Sequence, residues 1–265
     1  MFSSIKHHFK VWVRATLSEL QMYFIYPLST ILFLIAKILR FFTFFLFLYL
    51  LTDKTKTLAG YTQNQIIFFY LTFNLIDIAE QIFLRGVYWF RGALISGNFD
   101  LRLTKPVNPL FSVLFSHTDF IDVSTLILLV FFIINFIQKS AFIISPQNIL
   151  LYLLLILNGF IIGLSLHIIV SSLGVITLEV DQLIWIYRDL ATMARYPIDV
   201  YHLHLQRILT FIIPIGLIFT IPAKAFFSLL TPKWIAFSFA FGIIFLLLSL
   251  KLWQVCLKRY SSASS

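Results

Sequence analysis

The sequence predicts an all-α, multi-pass membrane protein, and three observations carry that expectation. The chain is 60% apolar with a mean hydropathy of +0.95. Only 12% of its 265 residues are charged, about half of the roughly 25% usual in soluble domains. The apolar residues gather into long runs, and a bilayer core of about 30 Å needs about 20 helical residues to cross it. The 31 Phe are lipid-compatible bulk. Lys and Arg collect at the ends of these runs, so the net charge of +9 reports membrane topology and no nucleic-acid partner is expected. The single Cys256 excludes an intrachain disulfide. The N-terminal stretch is too polar for a signal-peptide core.

Residues 1–23 predict a basic amphipathic helix in the membrane interface. Phe9, Val13, Leu17 and Leu20 recur at helical spacing opposite Lys6, His7, Lys10, Arg14 and Glu19. The first span is expected from Tyr26 to about Leu51, with Lys37 and Arg40 inside it. Each costs about 2.5–3.5 kcal/mol at a helix centre, so they must snorkel or face protein. A polar loop, residues 52–65, follows. The second span, Ile66 to about Ile82, carries Asn74, Asp77 and Glu80 three apart, a stripe suited to pairing with Lys37 or Arg40.

Arg85 to Pro109 is a polar, cation-rich, glycine-broken stretch, and the positive-inside rule assigns it to the cytoplasm. The third span is expected from Phe111 to about Ile137. His117, Asp119 and Asp122 in its first turns lack a second cluster at metal-ligand spacing, so water and the helix dipole suffice for them. The fourth span, Ile149 to about Ile176, has small residues, Gly159 and Gly163 among them, suited to close helix packing. Residues 178–196 are helical in period and carry Arg188 and Asp189. As a fifth span they require a buried polar face.

Pro197 ends that run. Pro214 and Pro222 then interrupt an apolar stretch, as in re-entrant segments. With a last span from Trp234 to about Trp253 followed by Lys258 and Arg259, six crossings place Met1 and Ser265 together in the cytoplasm. Residues 197–226 are then expected to dip in from the outer face, forming an outer gate built on Pro197, Arg207, Pro214 and Pro222, with Arg195 and Arg207 near the outer interface. No separate soluble domain is expected.

Enzymatic signatures are missing. There is no phosphate-binding glycine loop, nucleophile elbow or His-Glu zinc helix. His202 and His204 are two apart and fall on different helix faces. Any energy for transport must come from a gradient or a partner. A gradient-driven carrier would route protons or sodium through Asp77, Glu80 or Asp189. An intramembrane enzyme would gather the Asp, His and Arg residues of spans two, three and five.

Two stretches resemble a known family. Gly92 to Phe111, through Gly97, Asp100, Leu103, Lys105, Pro106, Asn108, Pro109 and Leu110, is similar to the small six-span branch of type-2 ABC exporter permeases. The stretch through Arg195, Pro197, Asp199, Tyr201, Arg207, Pro214, Pro222 and Ala223 resembles the same branch. The resemblance implies a permease subunit of the bacterial inner membrane, itself without catalytic residues, metal or bound cofactor. It would be dimeric with the same or a paralogous permease, and ATP and Mg would sit on a separate ATP-binding subunit. It further implies that the cytoplasmic loop, residues 85–110, holds a coupling helix that docks on that subunit. Arg85, Tyr88, Trp89, Phe90 and Arg91 are the expected anchors, with Asp100, Arg102 and Lys105 as further contacts.

Overall fold

The computed structural model describes residues 2–140, 142 and 145–261. Met1 and Ser265, expected on one side of the membrane, lie outside the described residues. The described chain is helical almost throughout; its two strands have two residues each. Five helices are long and apolar enough to cross a membrane: Pro27–Thr55, Gln63–Ile95, Phe120–Lys139, Pro146–Thr177 and Pro232–Lys258. A bent pair, Leu203–Ile212 with Gly216–Phe226, would make a sixth if counted as one span. The protein is an all-α, multi-pass membrane protein.

The first helix, α1 (Phe2–Ile25), ends at Tyr26 because Pro27 restarts the backbone as α2 (Pro27–Thr55). Helix α1 lies against the start of the third span: Thr16 meets Thr118 at 3.0 Å, and the Tyr23 hydroxyl donates to Asp119 at 3.2 Å. The polar loop after α2 is a small hairpin, Thr57–Leu58 paired with Tyr61–Thr62. It leads into α3 (Gln63–Leu84), whose first turn is closed by a capping box between Thr62 and Gln65. Most of α3 is buried, whereas α2 is exposed along nearly its whole length.

The expected polar loop is itself largely helical. A 3-10 turn, Arg85–Trp89, joins α3 to α4 (Phe90–Ile95), and α5 (Asn98–Leu103) and α6 (Pro109–Leu114) follow. The third span begins later than expected, as α7 (Phe120–Lys139). Asp119 sets that start, because its carboxylate accepts from the amides of Ile121 at 3.0 Å and Asp122 at 3.4 Å.

Helix α8 (Pro146–Thr177) packs along the last helix, α12 (Pro232–Lys258), and Asn158 donates to the Ser238 carbonyl at 2.9 Å. A Cβ on Gly163 would fall on the Glu80 carboxylate, so the bare position makes room for that side chain where α3 meets α8. The fourth span thus packs as its small residues predict.

The expected fifth span is where the structure departs from a plain count of six. Helix α9 (Val180–Thr192) has 13 residues, about 20 Å of helix, short of the bilayer core. A 3-10 turn, Met193–Arg195, extends it before Pro197. Its start touches the loop end of the bundle, where Arg91 donates to the Leu178 carbonyl at 3.1 Å. Asp199, just beyond its end, accepts from the Tyr61 hydroxyl in the hairpin at 3.1 Å. The chain therefore passes from the loop end to the hairpin end within residues 178–199. The polar face expected to need burial is covered only in part: Arg188 is held on Asp77, whereas Glu179 and Asp189 stay exposed.

Helix α10 (Leu203–Arg207) continues into a π-turn that stops at Ile212. After Pro214, a second π-turn and α11 (Ile221–Phe226) lead away at 87°. The two ends of this bent segment are tied together, since Lys224 Nζ lies 2.8 Å from Asp199. Asn148, in the first turn of α8, donates to Ser228 at 2.6 Å on the same end of the bundle.

Candidate functional site

The loop stretch of residues 85–110 is built on a hydrophobic base. Phe90 is fully buried, edge-on to Phe99 at 5.0 Å and near Trp253 of α12 at 6.3 Å. Phe99 in turn meets Tyr260 at 5.2 Å. Burial, and then the nearby Asp100 carboxylate, push the Tyr260 phenol up to about 12. Between α4 and α5 the chain turns through Gly97 at φ +72°, a conformation that L side chains resist. The turn folds α5 back beside α4. Arg102 is fixed by donating to the Ser112 carbonyl at 3.1 Å.

This base divides the eight residues expected to dock a partner. Phe90 is core, and its contribution is to hold the loop, because a side chain with no exposed surface cannot meet a second protein. Tyr88 is half-buried, receives a hydrogen bond from Gln81 at 3.3 Å and faces Trp185. Arg85 is bound to Asp119 at 2.7 Å. Arg91 reaches Leu178 and lies 3.9 Å from Asp181. Asp100 is half-buried beside Tyr260. Trp89 and Lys105 stand exposed, and Ile95 and Leu101, which the sequence did not single out, join them. A shallow groove runs between these groups, lined by Trp89, Ser96, Leu101, Arg102 and Lys105. An exposed Trp and an exposed Leu flanked by cations form a surface on which a protein partner can bury an aromatic anchor.

Behind the loop, Asp119 ties four elements together. It accepts from Tyr23 of α1, from Lys37 of α2 at 3.0 Å and from Arg85 of the 3-10 turn, while capping α7. Burial pushes its carboxyl up, but Arg85 and Lys37 outweigh burial and hold it below the usual carboxylate range. Lys37 also bonds Asp122 at 2.6 Å, and His117 meets Glu19 at 2.5 Å. All three residues at the start of α7 thus have side-chain partners, where water and the helix dipole were expected to suffice; Asp119 also caps α7, as a carboxylate at a helix start should. Lys37 pairs here and not with the α3 stripe.

Deeper in the bundle, α2, α3, α7 and α9 enclose a cavity of about 560 Å³. Asp77 and Arg188 face it and pair with each other. Arg40, Asn74, Asp189 and Arg195 also line it. The Arg195 guanidinium lies over the Phe44 ring, 5.0 Å from its centroid. The sequence expected Arg195 near the outer interface. It lines this cavity from the 3-10 turn that ends just before Pro197. Glu80 sits apart from the cavity, fully buried, accepting from Tyr187 at 2.7 Å. Beside them His167, fully buried on α8, bonds the Gly163 carbonyl through Nδ1 at 2.8 Å. His167 and Tyr187 escaped sequence reasoning, since a polar residue in an apolar run carries no mark of what it will face.

Residues 34–264 match the sequence profile described as ABC-2 family transporter protein. The chain belongs to the ABC-2 transporter family. Neither a curated protein nor a solved structure matches it. The protein is thus a membrane permease component of an ABC transporter.

Proposed function

We propose that this permease is the membrane subunit of an ATP-driven exporter. It works as a dimer in the bacterial inner membrane, with N- and C-termini in the cytoplasm, and is energised by separate subunits that carry ATP and Mg. The observation that carries this reading is the exposed groove of Trp89, Leu101 and Lys105, set on the buried base of Phe90 and Phe99. A coupling surface must be rigid to convert a partner's motion into motion of the spans. Its Trp89 side runs on from α3 without a break, and Arg85 ties it through Asp119 to α1, α2 and α7.

In the same reading the bent segment is a re-entrant outer gate. Its kink at Pro214 and the Lys224–Asp199 pair that joins its two ends support this assignment. Pro197 precedes it, exposed Arg207 lies on its first limb and Pro222 opens the last helix of its second limb. The docking reading is tested by copurification with the ATP-binding subunit. Trp89→Ala with Leu101→Ala should abolish capture of the ATPase while insertion and thermal unfolding stay normal, since truncating an interface anchor costs about 2 kcal/mol or more. Normal ATPase capture by that double variant would remove the docking role.

A further inference from the structure

An arginine facing the interior of a membrane protein needs a counter-charge, water or a ligand, because its insertion is otherwise costly. Of the four cations lining the cavity, two have their counter-charge in place: Lys37 on Asp119 and Asp122, and Arg188 on Asp77. The other two, Arg40 and Arg195, form no ion pair among the described residues. Both line the same space, exposed Arg40 at its mouth on α2 and half-buried Arg195 from the end of α9. Phe44 covers one face of the Arg195 guanidinium. That leaves its edge, where the N–H donors lie, to meet an oxyanion.

Asp189 is the one further carboxylate of the lining, so four cations stand against three carboxylates. The cavity therefore carries one positive charge in excess. Most of its remaining wall is apolar, with Phe41, Phe42, Phe131 and Phe132 contributed by α2 and α7 beside the polar Asn74, Thr125 and Thr192. Phe42 and Phe131 are exposed, so the cavity opens on the outer surface of the bundle, where a lipid chain has access. Its volume lies within the range of ligand pockets, roughly 300–1,000 Å³.

We propose that this cavity binds an acidic amphiphile with a singly charged phosphodiester headgroup, the phosphate on Arg40 and Arg195 and the acyl chain along the phenylalanines of α2 and α7. One excess charge matches one phosphodiester, and a charged group joined to a hydrocarbon chain matches a site that is cationic at one part and aromatic at the rest. Such a molecule is the substrate class that the site selects; that step rests on the exporter reading above, whereas binding does not.

Binding is measured on the full chain, without any ATPase, by native mass spectrometry after reconstitution with equal amounts of phosphatidylglycerol and phosphatidylcholine of the same acyl chains. The protein should retain phosphatidylglycerol in preference by about tenfold or more, as expected of charge-assisted hydrogen bonds. Arg40→Gln with Arg195→Gln should bring the ratio near one. Lys258→Gln with Arg259→Gln, at the exposed end of α12, should leave it unchanged. Excess inorganic phosphate should not displace the lipid. Phe131→Trp, which narrows the open mouth of the cavity with both arginines in place, should lower retention, and it decides the matter should the arginine variant not fold.

Equal retention of the two lipids, an unchanged ratio in the arginine variant, an equal loss in the α12 variant, displacement by phosphate alone, or full retention in Phe131→Trp would each overturn the proposal. Loss of ATPase capture with lipid preference intact would touch the exporter reading alone. Lost preference with ATPase capture intact would touch only this one.

Discussion

Asp119 shows how one side chain can be placed by sequence and yet owe its role to neighbours far along the chain. As an N-cap it is legible locally: an Asp before an apolar run offers its oxygen to the first free amides. Its ion pairs with Lys37 and Arg85 come from residues 82 and 34 positions earlier, which no local pattern announces. Because those cations hold the folded carboxyl below its usual range, the stabilisation is present above the unfolded pKa of about 3.9. It is lost as pH falls through the lower folded value. Thermal unfolding in detergent should therefore show an acid-side loss below about pH 4, and Asp119→Asn should remove much of it. At neutral pH the substitution should cost about 1–3 kcal/mol, the scale of a buried charged hydrogen bond left unmade. An Asn variant with unchanged stability at pH 7 and an unchanged acid limb would show that the four-element tie contributes nothing.

At the scale of elements, the bent segment is where composition and geometry meet most closely. Proline has no amide hydrogen to donate and its ring clashes with the preceding turn, so Pro214 marks a break that the sequence alone could place. The 87° bend and the return of Lys224 to Asp199 depend on what surrounds the break. Backbone freed at membrane depth survives only where protein satisfies it, and here the tip is buried, with Ile215 fully enclosed. In a background with buried Cys256 replaced by Ser, single cysteines at exposed Val200 and Leu229 should both react with an impermeant thiol reagent from outside. A cysteine at Ile215 should not. Labelling of one flank only from the cytoplasm would make the segment a true span and end the gate reading.

For the whole molecule the sequence expectation was six crossings with both ends on one side. Among the described residues five helices have full membrane length, and the short α9 with its 3-10 extension carries the chain from the loop end to the hairpin end. Counting that passage as a crossing keeps the loop and the end of α12 on one side. Reporter fusions at Lys105 and Ser261 should thus give the same cytoplasmic signal, and a fusion at Lys54 the opposite one. Opposite signals from Lys105 and Ser261 would mean that residues 178–231 cross an even number of times.

The sequence by itself determined the membrane class, the position of most spans, the cation-rich loop and the proline break. These rest on hydropathy, charge placement and missing amide hydrogens, which are properties of short stretches. It also made Lys37, Arg40, Asp77, Glu80 and Arg188 stand out, because a charge in an apolar run is conspicuous. Tertiary structure alone decided the partner of each. Asp77 took Arg188 and left Lys37 to Asp119 and Asp122; Phe90 went into the core while Trp89, next to it, stayed outside. Arg40 and Arg195 were brought to one cavity from positions 155 residues apart. Hydropathy says that a charge must find company, but which company depends on how helices distant in sequence pack, and that packing is set by shape, down to the bare Gly163 that makes room for Glu80 where α3 meets α8.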